Sequence, residues 1–482
     1  MLFRSGVLRR LADQWRFILF EPSPKSIGRA LRTVQQGLAA GDAVGIFSEG
    51  GISRTGQLLG FKRGLEWVLE RAAAPVVPAF IDGMWGSVLS FSEGKFFSKW
   101  PRFPGGRRRR VSLWFDAPLP VGTPPREARL AIQDLAARAV RQRWATENVF
   151  EQRVAAWSRR HRGGAGGHGG DTLAALACGG TIAADGADAD RAVSWPGAVV
   201  VGDGGVALDR AALLATAEAF DGCCLVRRTD RLLSSLAPGD PLHVALGILG
   251  GPLLGIPSTG VDPDTAPAEL LRCIAAEGST LWLANVRQVA AAATAPMSPG
   301  SALEGVVMPI ASVAELPAAR TAAAAFLATH GVEPVVAFAP GPLGALVSMN
   351  TPPRRAEAQE RVCRGDSLGR TVTGVAVWPS ARQRTALGRD RLDDGQRAFG
   401  PPCPAPASEE RSLVVAATAP RRGAGGPSED RQPSWFLLDA PVAIDEDGFL
   451  LPVADDLSDR PPSGFVAGRG SVEADRRATE LG

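Results

Sequence analysis

Apolar and polar positions switch between two periods along the first 160 residues. Residues 27–40 carry apolar side chains at helical spacing and stop at Gly41, and residues 64–73 repeat that spacing. Between and after them, 43–47, 75–81 and 111–115 are short apolar runs of strand length, the last two reading as buried strands. A longer helical pattern runs from about 125 to 158. Alternation of this kind predicts an α/β arrangement. Residues 159–170, RRHRGGAGGHGG, then lose all apolar periodicity, which marks a flexible linker between two domains, 1–158 and 171–465. The polar tail, 466–482, reads as disordered. Gly202, Asp203, Gly204 and Gly205 suggest a hairpin turn, and His330 before Gly331 suggests a helix C-terminus.

Length and charge sharpen this division. A chain of 482 residues is long enough for two cores. Residues 1–160 hold 26 Lys+Arg against 13 Asp+Glu, a net of +13, so 161–482 carry 27 against 37, a net of −10. The basic half, with Trp15, Phe17, Phe20, Trp67, Trp85, Trp100 and arginines at 107–110, fits an anionic membrane surface as well as it fits a plain solvated face, and nucleic acid ranks behind both. No apolar run reaches the ~18 residues of a membrane span. The cysteines at 178, 223, 224, 273, 363 and 403 form no CxxC pair and have no histidine at ligand spacing, so neither a zinc site nor a disulfide framework is indicated. A reducing cytoplasm is the expected compartment.

The candidate chemistry sits between the 43–47 run and the next helix: Phe47, Ser48, Glu49, Gly50, Gly51, Ile52, Ser53, Arg54, Thr55 and Gly56, then Phe61, Lys62 and Gly64. Glycines let a backbone turn closely around a ligand, while Arg54 and Lys62 offer positive charge to a phosphate. Glu49 is placed to orient that arginine or a substrate hydroxyl. By itself such a turn is common for geometric reasons.

With Pro75, Val76, Val77 and Pro78 added, the segment resembles the third and fourth motifs of the glycerol-3-phosphate and lysophosphatidic acid acyltransferase family. Asp82, Gly83, Met84, Trp85, Gly86 and Ser87, with Phe91, Lys95, Phe96, Phe97, Lys99 and Trp100, resemble the bacterial subgroup in which this acyltransferase is fused to an acyl-adenylating ligase. The resemblance implies transfer of a fatty acyl group from an acyl carrier protein or CoA thioester to a lysophospholipid, on the inner face of the membrane, with no cofactor beyond the thioester donor. It implies that Glu49, Gly50, Gly51, Arg54 and Lys62 hold the acceptor phosphate and that Pro78 shapes the pocket. Ser48 departs from the family, which usually has proline there.

The family's base is the histidine of a His-x4-Asp motif, and the histidines of this chain are at 161, 168, 243 and 330. None lies in the acyltransferase-like segment. A domain entered partway at Met1, its motif encoded upstream, is the favoured explanation, and a pseudoenzyme that binds lipid, acyl chains or a carrier protein is the alternative. Asp13, Asp42 and Glu49 are poor substitutes, since an ordinary carboxylate is a weak base toward an alcohol.

After the linker, residues 280–290, 303–307, 315–317, 347–350, 365–370 with 374–375, and 435–436 with 444–450 follow one another as in an adenylate-forming acyl ligase. The resemblance implies a phosphate loop near Cys178, a magnesium-holding Glu near Pro342 and a ribose-gripping Asp near Ala440, and the expected side chains are missing at each. All lysines lie at 25, 62, 95 or 99, so this half has none for the charge that adenylation builds up. It reads as a degenerate ligase scaffold, and an active ligase is the least favoured function. His243 reads as a core histidine.

Overall fold

The structure, a computed structural model, describes residues 14, 17–18, 23–71, 74–87, 90, 110–146, 149–160, 182–184, 198–201, 206–340, 346–353, 364–381, 411–417, 434–438, 442–452 and 466–467. The Gly-rich linker after 160, the arginines at 107–109, the ligase-like positions near 178, 342 and 440, and nearly all of the tail lie outside them.

Helix α1, Pro24–Ala39, begins where Ser23 accepts the Ser26 N–H and Pro24 supplies a preset first turn; it ends before Gly41, whose φ of 84° only glycine adopts freely. Helix α2, Arg63–Arg71, buries Leu65 and Val68. Strands β1, Ala79–Asp82, and β2, Ser112–Phe115, pair antiparallel, with Phe80 opposite Trp114 and Ile81 opposite Leu113. Helix α3, Pro125–Thr146, packs across this pair, and α4, Val149–Arg160, follows it. The long 125–158 pattern is covered by these two helices, with 147–148 between them outside the described residues.

Two expectations need correction. Residues 43–47 are not a strand: they run as irregular chain, with Ile46 41% and Phe47 82% exposed. An apolar run of that length becomes a strand only when a neighbour accepts its ladder, and none pairs with it among the described residues. Nor are β1 and β2 buried on both faces. Ile81, Leu113 and Phe115 point outward, because α3 covers one side of a sheet only two strands wide.

Beyond this lie β3, Ile182–Ala184, β4, Ala198–Val201, and β5, Val206–Asp209; β4 and β5 pair antiparallel with Val201 opposite Val206, and the turn expected at 202–205 lies outside the described residues. Helix α5, Arg210–Cys224, leads into the main sheet. Its strands are β6, Leu232–Ser234; β7, Ser258–Gly260; β8, Leu281–Leu283; β9, Gly305–Ile310; β10, Pro334–Phe338; β11, Ser348–Met349; and β12, Arg370–Thr371. The order is β12-β11-β10-β9-β8-β6-β7, parallel from β10 to β7 and antiparallel at β11 and β12. Strands buried on both faces read as unbroken apolar runs, and LWL, GVVMPI and PVVAF do so.

Helices α6, Gly250–Leu254, α7, Pro267–Ala276, α8, Val286–Ala292, and α9, Leu316–His330, connect the strands. A capping box, Asn285 with Gln288, starts α8, and α9 ends at His330 before the left-handed Gly331 (φ 71°), as predicted. Trp282 and Phe326 anchor the core, their rings 5.9 Å apart. A four-stranded antiparallel sheet comprises β13, Ala376–Ala381, β14, Arg411–Ala417, β15, Ser434–Leu438, and β18, Val466–Ala467; β16, Val442–Ile444, and β17, Leu450–Pro452, form a hairpin. The architecture is α/β. Among the described residues, no helix is long and apolar enough to cross a membrane.

Candidate functional site

Residues 47–62 form a loop held by its own backbone. Gly50 N–H donates to the Phe47 carbonyl at 3.0 Å and Lys62 N–H to the Ser48 carbonyl at 2.9 Å, so the two ends of the loop meet. Gly50 sits at φ 62°, and a Cβ built on it would stand 2.9 Å from Lys62 Cγ: the lysine stem lies across the glycine, leaving the residue exposed. Ser53 Oγ donates to the Gln57 carbonyl and receives the Thr55 N–H, which tightens the turn after Ile52. Gly50 and Gly51 are exposed, and Arg54 is half-buried with partners of its own.

Glu49 is turned inward. Its Oε2 accepts the Leu59 N–H at 2.7 Å, and burial pushes its carboxyl above the usual range against the opposing pull of that N–H, of Arg129 and of Arg370. Arg129, on α3, donates through Nε to the Leu59 carbonyl at 3.1 Å and through Nη2 to the Leu58 carbonyl at 2.9 Å. Burial, then Arg370, lowers it to about 10, with Glu49, Asp445 and Asp447 working against that, so it stays charged at neutral pH. The structure therefore brings Glu49, Gly50 and Lys62 together. Pro78 is buried on a different element, the chain entering β1, where its carbonyl accepts the Asp116 N–H at 3.1 Å.

Several residues around the loop carry no sequence signal. Gln57, 2% exposed, donates its amide to the Met349 and Arg370 carbonyls at 3.2 and 2.9 Å. Thr373 Oγ1 donates to the Gly56 carbonyl at 3.1 Å. Arg143 on α3 bonds Asp82 at 2.8 Å and Glu218 at 2.9 Å. Gln57, Thr373, Arg143 and Glu218 are ordinary polar residues in sequence, and only long-range folding gives them these partners.

His243 and His330, the two histidines among the described residues, take structural places. His243, 7% exposed, shares a 2.9 Å hydrogen bond with the buried Ser234 hydroxyl, with Gly247 and Gly260 against its ring, as expected of a core histidine. His330 bonds the Ala292 carbonyl at 3.0 Å and leans on Phe326. Among the described residues, no group of His, Cys, Asp and Glu could hold a metal ion.

Residues 1–82 match the Acyltransferase family model, a stretch that contains the whole loop, and acyl transfer is thereby supported at the family level. No curated protein matches the sequence. Among solved structures, the chain is similar to the anthranilate CoA ligase AuaEII in complex with anthranoyl-AMP (14% identity, TM-score 0.36, covering 51% of this chain and 43% of that one). It is also similar to an acyl-CoA synthetase of Brucella canis (16%, 0.38, 54% and 44%). A third is the amide bond synthetase McbA of Marinactinospora thermotolerans (19%, 0.38, 56% and 51%). The chain spans about half the length of these proteins. Overlaps this partial decide nothing about chemistry, and the functional reading rests on residues 1–82 and the loop within them.

Proposed function

We propose that this protein serves fatty acyl transfer from an acyl carrier protein or CoA thioester to a lysophospholipid, at an anionic membrane surface on the cytoplasmic side. The observation that carries the reading is the loop at 47–62, closed on itself with Lys62 laid over a left-handed Gly50 and lying inside the family match. Exposed Gly50 and Gly51 present backbone to an incoming headgroup, and Lys62 and Arg54 supply the charge its phosphate needs. Glu49 keeps the loop in shape from beneath, through the Leu59 N–H. The +13 net charge of residues 1–160 and the outward Ile81, Leu113 and Phe115 support contact with a bilayer.

One observation favours a second reading, binding without turnover: no histidine precedes position 161. Acyl transfer needs a base for the acceptor hydroxyl, an element typically worth about 10²–10⁴-fold in rate. The test follows labelled acyl transfer from a thioester to lysophospholipids by residues 1–482 and by a form carrying an upstream His-x4-Asp motif, alongside vesicle binding at several salt concentrations. Turnover by the extended form alone supports the first reading. Binding by both with turnover by neither supports the second, and binding by neither overturns both.

A further inference from the structure

The loop assigned to the acceptor is not held by the first half alone. Its stretch 55–60 is clasped by chain from beyond residue 206. Gln57 inserts its amide into the edge of the main sheet, between the Met349 and Arg370 carbonyls. Thr373 ties down the Gly56 carbonyl from the turn after β12. Gly222 at the end of α5 leaves no room for a Cβ against the Thr55 carbonyl, and Trp85, whose ring covers Gly56, donates to Asp221 at 3.4 Å. A Cβ on Gly60 would reach Asp447 Cα at 2.8 Å, and Gly448 admits the Arg129 guanidinium beside it.

These contacts lead in one direction. Gln57 and Arg129 fix residues 57–59; the Leu59 N–H fixes Glu49; and Glu49 adjoins Gly50, over which Lys62 lies. The loop buries its far side in the second half and leaves Gly50, Gly51, Ile52 and Lys62 exposed. We infer that the second half is the seat of the acceptor loop, with Gln57 and Arg129 as positioning residues that set the geometry of the phosphate-facing backbone. This gives the second half a function that needs no adenylation, and it rests on the reading of the loop as an acceptor site. Gln57 is turned away from the exposed face of the loop, its amide on the Met349 and Arg370 carbonyls. It acts through the backbone of 57–59, and a second-half residue, Thr373, acts in the same way through Gly56.

The experiment uses the full chain with sn-glycero-3-phosphoethanolamine as a soluble probe. Amide hydrogen exchange is read at Leu59 and Lys62, the donors to Glu49 and Ser48, and at β8 to β10 as an internal control. The proteins are wild type, Gln57→Ala, the near-isosteric Thr373→Val and the hydroxyl-keeping Thr373→Ser. Each of the first two variants is expected to speed loop exchange about tenfold or more, as the loss of a buried hydrogen bond implies, to weaken probe binding comparably, and to leave the control strands unchanged. Thr373→Ser should retain wild-type values. Loop exchange and binding both unchanged in Gln57→Ala and Thr373→Val overturn the inference. If Gln57→Ala fails to fold, Thr373→Val against Thr373→Ser decides the question by the same readout. A wild-type loop that is protected in a Gln57-dependent way and yet never binds the probe overturns the acceptor reading instead, and upholds the seat.

Discussion

Arg143 joins β1 of the first half to α5 of the second, and its replacement tests that junction directly. Its guanidinium is 14% exposed and bonds Asp82, 4% exposed, and Glu218, 17% exposed; it lies over the Trp144 ring at 4.1 Å, and Trp144 Nε1 donates to Glu218 at 2.9 Å. Burial alone would lower the arginine's pKa, yet Glu218 and Asp82 together raise it, so the site favours the charged form. Arg143→Met keeps most of the volume and leaves two carboxylates buried without a cation. Breaking a buried pair in this way costs about 3–5 kcal/mol, most of it the penalty on the abandoned charges rather than the attraction lost. A triple variant, Arg143→Met with Asp82→Asn and Glu218→Gln, removes those charges and should recover more than half of the loss. Urea unfolding of wild type, Arg143→Met and the triple variant, with the slope checked for constancy, measures both numbers. A loss under about 0.5 kcal/mol for Arg143→Met, in the range of a neutral surface change, would refute the junction described here.

Glu49 has a folded pKa raised by burial, so the stability tied to it is fully present below its unfolded value and is lost as pH rises through the folded one. Glu49→Gln, which keeps an acceptor for the Leu59 N–H, should therefore be at least as stable as wild type at pH 7 and lose that advantage at acid pH, whereas Glu49→Ala strands the N–H and costs about 1–3 kcal/mol; thermal midpoints across pH separate the two. Gly369 sits at φ 88° with the Met349 backbone where a Cβ would go, so Gly369→Ala should cost at least about 1–3 kcal/mol and shift the urea midpoint accordingly. Phe326 is fully buried between Trp282 and His330, and Phe326→Ala should cost about 3–5 kcal/mol by the same measurement.

Local features of this protein were legible in its sequence because their causes are local. Gly41 stops α1 and Gly331 closes α9 behind His330, each where the helical spacing ends at a glycine. The loop at 47–62 was visible too, because glycines with Arg54 and Lys62 between periodic segments are a compositional signal. Tertiary structure alone decided the rest. Residues 43–47 have a strand's composition and no strand partner, since a ladder belongs to two segments and composition to one. Arg129 and Gln57 look like solvated surface residues and are 4% and 2% exposed, because what buries them lies some 240 to 320 positions away, at Arg370 and the 445–448 turn. Glu49 shows the limit most clearly: its neighbours in sequence place it to orient Arg54 or a substrate hydroxyl, while its Oε2 accepts the Leu59 N–H, a partner ten residues away that only folding brings to it.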